Sequence, residues 1–325
     1  MNYILKDFVS TKVYENLKGL EKEYFQANNK KYRYPVVLSG LVGVSKAMLG
    51  SALNLDNKEK VVIVTYNELQ ARDLLKNILY FTEDVDFFPK REISIYDYDA
   101  ESNEIEFDRI AVLNKIHKKK AKIIVTTIEA LMQNLIAEDS LYENAINLKV
   151  GDEVDIEKIK QTLISLGYER ADLTEARGQF SVRGDIIDIS QSETVGVRIE
   201  LWGDTIDSIR EFNLQNQRSI ENIEKCEVLP MSEMVIDSPL SVVADRIEQA
   251  VAHGVLTQTE NTNKDVEEIR NGDYRNKIDR YFDKFYLNQA NLLDYLKGFK
   301  ILVDEPEKIQ QRIESIQLDN ENLIK

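Results

Sequence analysis

Short apolar runs rich in β-branched residues alternate with helical patterns as far as residue 131. Runs of this kind occupy residues 36–39, 61–65, 85–88 and 122–127, and a helical pattern separates each from the next. Strand and helix alternating in this way indicate a parallel sheet with helices on both faces. The sequence therefore predicts an α/β fold, in which the strand at 36–39 comes first.

The segment directly after this first predicted strand, "LSGLVGVSKAMLGSAL", nearly spells the P-loop pattern G-x-x-x-x-G-K-[ST]. Gly40 and Lys46 match it and Gly43 lies between them, but Ser45 replaces the second glycine and Ala47 replaces the Ser or Thr. That hydroxyl coordinates Mg²⁺ in a working loop, and alanine cannot replace it. We interpret the segment as a degenerate nucleotide site, with Lys46 a surface lysine in the first helical turn.

From residue 132 the pattern changes to one short helix followed by alternating segments with Gly-containing turns, which predicts an α+β insert with antiparallel strands. In "GQFSVRGDIIDIS", Phe180 and Val182 share one face, Ser181 and Arg183 the other, and Gly184 is predicted to form a bulge.

The next predicted strand, "VGVRIELWGD", alternates in the same way. Its apolar positions fall on one face, and Arg198, Glu200 and Trp202 fall on the other. A solvated sheet surface is the default interpretation of such a face, although arginine beside aromatic residues is also the composition enriched at protein interfaces.

The last part of the chain returns to helical periodicity and closes with "KILVDE" at residues 300–305. The simplest interpretation is an edge strand ending in the polar residues Asp304 and Glu305. A strand of this type also carries the magnesium-binding Asp of P-loop NTPases. We predict a division into residues 1–131, the insert 132–213, and residues 214–325, which complete the α/β domain.

Composition restricts the function classes. The net charge of −15 opposes broad binding of nucleic acid unless basic residues gather on one face. A lone Cys226 with only His117 and His253 excludes an internal disulfide framework and offers no Cys/His metal cluster. No signal-peptide core and no run of about 18 apolar residues are present, which favours a soluble cytoplasmic protein with no membrane partner.

The segments "RGQFSVRGDIIDIS…VRIELWGDTIDSIREF" and "NLLDYLKGFKILVDE" resemble the module shared by the excision-repair protein UvrB and the N-terminal part of the transcription-repair coupling factor Mfd, and the resemblance covers essentially the whole chain. UvrB keeps a complete P-loop, whereas the coupling factor has lost it. Residues 92–108 hold seven acids and no Lys or Arg, and they are too few for the DNA-clamping hairpin of UvrB. The chain is therefore closer to the coupling factor.

The resemblance implies a degenerate helicase-like domain of the P-loop NTPase type with an inserted UvrA-binding domain. It also implies a chain that recruits UvrA and is itself part of a longer protein, in which other domains bind RNA polymerase and DNA and use ATP and Mg²⁺; no cofactor and no catalytic residue are expected here. The UvrA contacts of the UvrB family match Arg170, Arg183 and Glu200. One further interface arginine of UvrB falls at Ser181. We add Arg177 and Phe180 to this predicted set of UvrA contacts on the basis of geometry.

Two other function classes remain open from the residues. An active UvrB-like ATPase or helicase component that binds damaged DNA would bind nucleotide in a magnesium-dependent way despite Ala47. A DNA-binding module would need a basic stripe, but residues 168–183 contain three arginines against three acids.

Overall fold

The computed structural model describes residues 3–27, 36–91, 104–236 and 238–323. The chain divides into two compact units. The first comprises Met1–Lys90, Lys115–Gln133 and Leu292–Lys325, and the second comprises Arg91–Asn114 and Asn134–Asn291. The division predicted at residues 131 and 213 stays a prediction, and the acidic segment up to residue 103 lies outside the described residues.

The α-helices of the described residues are α1 (Tyr3–Val9), α2 (Lys12–Ala27), α3 (Val44–Asn57), α4 (Glu68–Leu79), α5 (Glu104–His117), α6 (Ile128–Met132), α7 (Glu138–Tyr142), α8 (Ile156–Ser165), α9 (Leu240–Ala252), α10 (Glu260–Arg270), α11 (Phe282–Phe285), α12 (Leu292–Tyr295) and α13 (Pro306–Leu323). A 3₁₀ turn spans Arg275–Lys277. None of these helices combines the length and the apolar character that crossing a membrane requires.

The strands of the described residues are β1 (Lys60–Thr65), β2 (Val85–Phe88), β3 (Ile123–Thr127), β4 (Leu135–Ile136), β5 (Ile146–Lys149), β6 (Glu169–Arg170), β7 (Gln179–Arg183), β8 (Ile186–Ser190), β9 (Val195–Trp202), β10 (Thr205–Asn213), β11 (Ser219–Ile223), β12 (Lys225–Val228), β13 (Gln289–Ala290) and β14 (Phe299–Val303).

A parallel four-stranded sheet in the order β14-β1-β3-β2 forms the centre of the first unit. The central strands consist almost entirely of Val, Ile and Thr, and nearly all of their residues are buried, as expected when both faces of a parallel sheet are covered. Helices α1 to α4 contribute Leu5, Tyr14, Leu53 and Leu74 to a core cluster with Val61 and Ile123 of the sheet. The predicted mixed α/β fold with a parallel sheet is confirmed.

The prediction of a first strand at residues 36–39 is wrong. The segment pairs with no strand of the described residues, and Val37 is 83% exposed. A run of β-branched residues forms a strand only where a partner strand and a buried face support it. Here neither support is present, so residues 36–39 approach α3 as irregular chain.

The second unit contains a six-stranded sheet in the order β11-β10-β9-β8-β7-β6, antiparallel throughout except for the β6–β7 pair. One face packs on α8, which begins at the N-cap Asp155 and contributes Ile159 and Leu163 to the core. The alternation predicted for the strand at 195–202 is confirmed, since Ile199 and Leu201 belong to the same core. This face buries most of the apolar side chains of the sheet, and the other face carries mainly polar ones.

Gly184 lies in a two-residue hairpin turn between β7 and β8, because Arg183 pairs with Ile186. The predicted bulge at this position is therefore wrong. The glycine has φ of 59°, and a positive φ at the first turn position is what a tight two-residue hairpin requires. Sequence alternation cannot separate the two cases, because both shift the apolar pattern at a glycine.

Two short antiparallel pairs, β12–β5 and β13–β4, complete the second unit. A buried ionic cluster lies between segments of this unit: the side chains of Arg109 and Glu233 are almost fully buried, and Arg109 Nε lies 2.7 Å from Glu233 Oε1. Arg91 contacts the same carboxylate at 3.1 Å and also Asp279. Burial opposes ionisation of Glu233, but the charges of Arg109 and Arg91 outweigh it and lower its pKa.

Helix α5 ends in a Schellman motif in which a lysine occupies the position that usually holds glycine. Lys119 has φ of 57°, its N–H donates to Ile116 O, and the N–H of Lys120 donates to Lys115 O. A left-handed conformation costs a residue with a Cβ about 1–2 kcal/mol.

We expect Lys119→Gly to raise the free energy of unfolding by about 1 kcal/mol, because glycine adopts positive φ without strain. Urea denaturation followed by circular dichroism measures the change. Lys120→Gly is the control and should not stabilise the protein, since Lys120 does not have a positive φ. Equal effects of the two substitutions would contradict the assignment of strain to Lys119.

Candidate functional site

The open face of the six-stranded sheet is organised around Asp188, a fully buried carboxylate on β8. Asp188 lies directly opposite Arg198 of β9, whose Nε and Nη2 contact its two carboxylate oxygens at 2.6 and 2.9 Å. Arg183 at the end of β7 adds a third contact at 2.8 Å. Hydrogen bonds with Asp188 raise the pKa of Arg198, although partial burial opposes this. The face therefore carries a preorganised arginine–carboxylate–arginine cluster.

An aromatic ring on the same face of the sheet also holds Arg198. Its guanidinium carbon lies 4.6 Å from the ring centroid of Phe212, a fully buried side chain of β10. The ring fits because residue 196 is a glycine: a Cβ there would stand 2.5 Å from the ring. Cation–π stacking and the bidentate bond together hold Arg198 in one orientation.

Glu200 lies two residues farther along β9 on the same face. It accepts a hydrogen bond from Ser208 Oγ at 3.1 Å and pairs with Arg210 of β10. Trp202, at the end of this strand, is 84% exposed. The side chains of Arg183 and Glu200 are 47% and 30% exposed. Charged groups held by neighbours and one exposed aromatic residue thus share a surface.

The structure brings together only part of the predicted UvrA-binding set. Arg183 and Glu200 lie on the open face, as described above. Arg170 is exposed on the edge strand β6, where its register opposite Phe180 places it on the other side of the sheet from Arg183. The contact role of these three residues stays a prediction.

The two residues added from geometry have internal partners instead. Phe180 is fully buried in the core of the insert, where it supports the sheet, and its contact role stays a prediction that this burial does not favour. Arg177 donates to the carbonyl of Phe107 and stacks on its ring at 5.2 Å, and burial lowers its pKa. Ser181 is buried too, and its hydroxyl accepts a hydrogen bond from Thr174 at 3.0 Å.

Sequence reasoning missed Asp188 and Arg210, and it treated Arg198 as an ordinary solvated residue. A signal was present in "GDIIDIS", where Asp188 interrupts an otherwise apolar strand. An acid in such a run is buried and needs a basic partner on a neighbouring strand. The alternating pattern of β9 provides that partner at Arg198.

The segment that resembles a P-loop lies in the other unit. Gly40 and Gly43 both have positive φ, 82° and 50°, and Gly43 is the N-cap of α3. Ser45 closes the loop on itself: its hydroxyl accepts from the N–H of Val42 at 2.9 Å and donates to the carbonyl of Val42 at 2.7 Å. Ala47 is fully buried. One loop N–H that could face a phosphate is therefore already bonded internally.

Lys46 lies in the first turn of α3, as predicted, and its ammonium group is paired with two carboxylates. Its Nζ lies 2.6 Å from Asp304 Oδ1 and 2.7 Å from Glu305 Oε1, directly after β14. Burial opposes the charge on Lys46, but the two carboxylates outweigh it and raise the pKa; the bond from Lys46 lowers the pKa of Glu305. The predicted residues do meet, as an internal ion-pair cluster.

A comparison with known protein families finds a match over the region that contains the six-stranded sheet. Residues 146–234 match the family model described as the UvrB interaction domain. This segment is therefore similar to UvrB interaction domains. It contains all six strands of the sheet and therefore the whole open face.

The chain as a whole is similar to transcription-repair-coupling factors. It is 28% identical over 304 residues to that of Bacillus subtilis (strain 168), which covers 89% of this chain and 26% of the relative. Identity to that of Staphylococcus aureus (strain bovine RF122 / ET3-1) is 24% over 324 residues, covering 94% of this chain and 27% of the relative. The chain thus spans about a quarter of the length of these curated relatives. The resemblance stated from the sequence is confirmed, and the active UvrB-like ATPase is not favoured.

The geometry of the cluster predicts different stability effects for its two arginines. Arg198→Ala should lower the free energy of unfolding by about 3 kcal/mol, because it leaves the buried Asp188 without its bidentate partner. Arg183→Ala should cost about 1 kcal/mol or less, since Arg183 is half exposed and Arg198 still holds the carboxylate. Urea denaturation measures both. Equal losses would show that Asp188 does not depend mainly on Arg198.

Proposed function

We propose that this chain recruits UvrA, as a module of a transcription-repair coupling factor. The observation that carries the proposal is that the match to the UvrB interaction domain at residues 146–234 coincides with a sheet whose polar face exposes Arg183, Glu200 and Trp202. By the resemblance, ATP-driven translocation and contacts with RNA polymerase and DNA belong to other parts of the longer protein, which acts in the bacterial cytoplasm.

The open face has the properties of a contact surface. Arginine and tryptophan are the residues most enriched at binding hot spots, and Arg183 and Trp202 both lie here with exposed side chains. The arginine is held by Asp188 and Glu200 by Arg210, so little side-chain entropy would be lost when a partner binds. Charged groups on UvrA complementary to Arg183 and Glu200 would be desolvated together with them.

We further propose that the parallel sheet derives from a helicase-like domain whose nucleotide site has become structural. The support is positional: Lys46 lies in the first turn of α3 beside the end of β14, where P-loop proteins hold phosphate and Mg²⁺. Here Lys46 is paired with carboxylates, and the Ser45 hydroxyl accepts a hydrogen bond from a loop N–H. Ala47 offers no metal ligand.

Substitutions on the open face should weaken UvrA binding strongly without unfolding the domain. We expect Arg183→Ala and Glu200→Ala each to weaken the complex by about 2–5 kcal/mol, roughly 30-fold or more, because the partner group stays buried and unpaired. A pull-down with purified UvrA, followed by interferometry for the affinity, measures the loss, and thermal melts check folding. Arg170→Ala tests whether the sheet edge belongs to the same interface.

Arg270→Ala is the matched control. Arg270 is 40% exposed and pairs with two acids, as Arg183 pairs with one, but it lies outside residues 146–234. Its substitution should leave UvrA binding within about twofold of the wild type. If Arg183→Ala binds as well as Arg270→Ala, the interface lies elsewhere.

Nucleotide should not bind at the P-loop remnant. Titration calorimetry with Mg-ATP is expected to give no dissociation constant tighter than about 1 mM, since the phosphate-binding groups are already bonded within the protein. Ser45→Gly with Ala47→Thr should not restore turnover either, because Ala47 is fully buried and a larger side chain would overpack its site. Micromolar binding by the wild type would contradict this.

A further inference from the structure

The N-terminal edge of the parallel sheet gathers lysines that are far apart in the sequence. Val61 of β1 pairs with Ile123 of β3, so the segments preceding these two strands meet at one edge. The first segment carries Lys58 and Lys60, and the second carries the run from Lys118 to Lys122. Parallel pairing therefore converts two separate basic segments into one surface.

These segments line a groove of about 750 Å³ within the first unit. Five lysines contribute to its lining: Lys58, Lys60, Lys119, Lys120 and Lys122. The one acid in the lining, Asp84, is already paired with Lys122 at 2.6 Å. Across the described residues, Lys58, Lys119 and Lys120 form no ion pair. The groove is strongly positive in a chain whose net charge is −15.

Compensation of helix dipoles does not account for this charge. Helices α3 and α5 both end at the groove, and each C-terminus carries about half a negative charge, about one in total. The three positive charges of the unpaired lysines exceed this one negative charge. Moreover, Lys58 and Lys119 both have positive φ, 54° and 57°, a conformation in which glycine is the less strained residue. The sequence thus has a lysine at two positions where the backbone conformation favours glycine, which has no side chain.

We propose that this groove binds the phosphate backbone of a nucleic-acid strand. Lysines are hydrated point charges on flexible stems, suited to phosphate contacts that do not read sequence, and the lining contains no arginine for bidentate recognition of a carboxylate. Leu5, Leu55 and Phe81 provide apolar wall for sugars and bases. The site is distinct from the open face of the UvrB interaction domain and from the P-loop remnant.

Fluorescence anisotropy with a labelled single-stranded oligothymidylate tests the proposal. The wild type should bind with a dissociation constant on the order of 10–100 µM at low salt, as non-specific binding does. Lys58→Gln, Lys119→Gln and Lys120→Gln combined should weaken binding at least about tenfold. This triple variant should also reduce the log–log salt slope by about 2, since each lost phosphate contact removes about 0.7.

The control combines Lys149→Gln, Lys158→Gln and Lys225→Gln, three exposed lysines of the other unit with the same charge change. It should bind within about twofold of the wild type. Replacing the three groove lysines by arginine should keep binding, and melting curves confirm that all variants fold. Equal weakening in both glutamine variants, no binding by the wild type, or displacement of the strand by polyglutamate of equal charge would overturn the proposal.

Discussion

The buried carboxylate of Asp188 is the constraint on which the open face of the six-stranded sheet depends. A fully buried charge is tolerated only when its oxygens are bonded, and Arg198 supplies two of the three bonds from the neighbouring strand. A one-residue slip of β8 against β9 would move Asp188 to the apolar side of the sheet. The ion pair thus specifies the register, and the register places Glu200 and Trp202 on the same surface as Arg183.

In the other unit, the parallel register of β1 has the corresponding role. Pairing with β14 and β3 brings their equivalent ends together, so the segments after the strands meet at one edge of the sheet and the segments before them meet at the other. At the first edge the N–H of Asp304 still donates to Val64 at 2.9 Å, which holds the acid beside Lys46. At the second edge the lysine segments meet. The parallel pairing of these strands therefore brings together the charged residues at both edges of the sheet.

The local sequence pattern was sufficient to predict elements whose packing partners lie nearby in the chain. It failed where the prediction required knowing a partner that is distant in the sequence. Periodicity located α8 and the alternation of β9, because each pattern reports one buried face. It could not reveal that residues 36–39 find no partner strand, that Phe180 is covered completely, or that Lys46 meets Glu305 across 259 positions. The lysine groove escaped it for the same reason, since only the topology brings its two segments together.

In the P-loop-like segment, the protein's own groups already make the contacts that a phosphate would need. Ser45 supplies an acceptor to a loop N–H, and Asp304 and Glu305 supply negative charge to Lys46, so the protein itself provides what a bound phosphate would provide. Phosphate would have to displace both carboxylates from the lysine before gaining its own contact. Because these bonds also tie α3 to the end of β14, opening the site would loosen the sheet that it caps. The arrangement favours a structural role for this edge of the sheet.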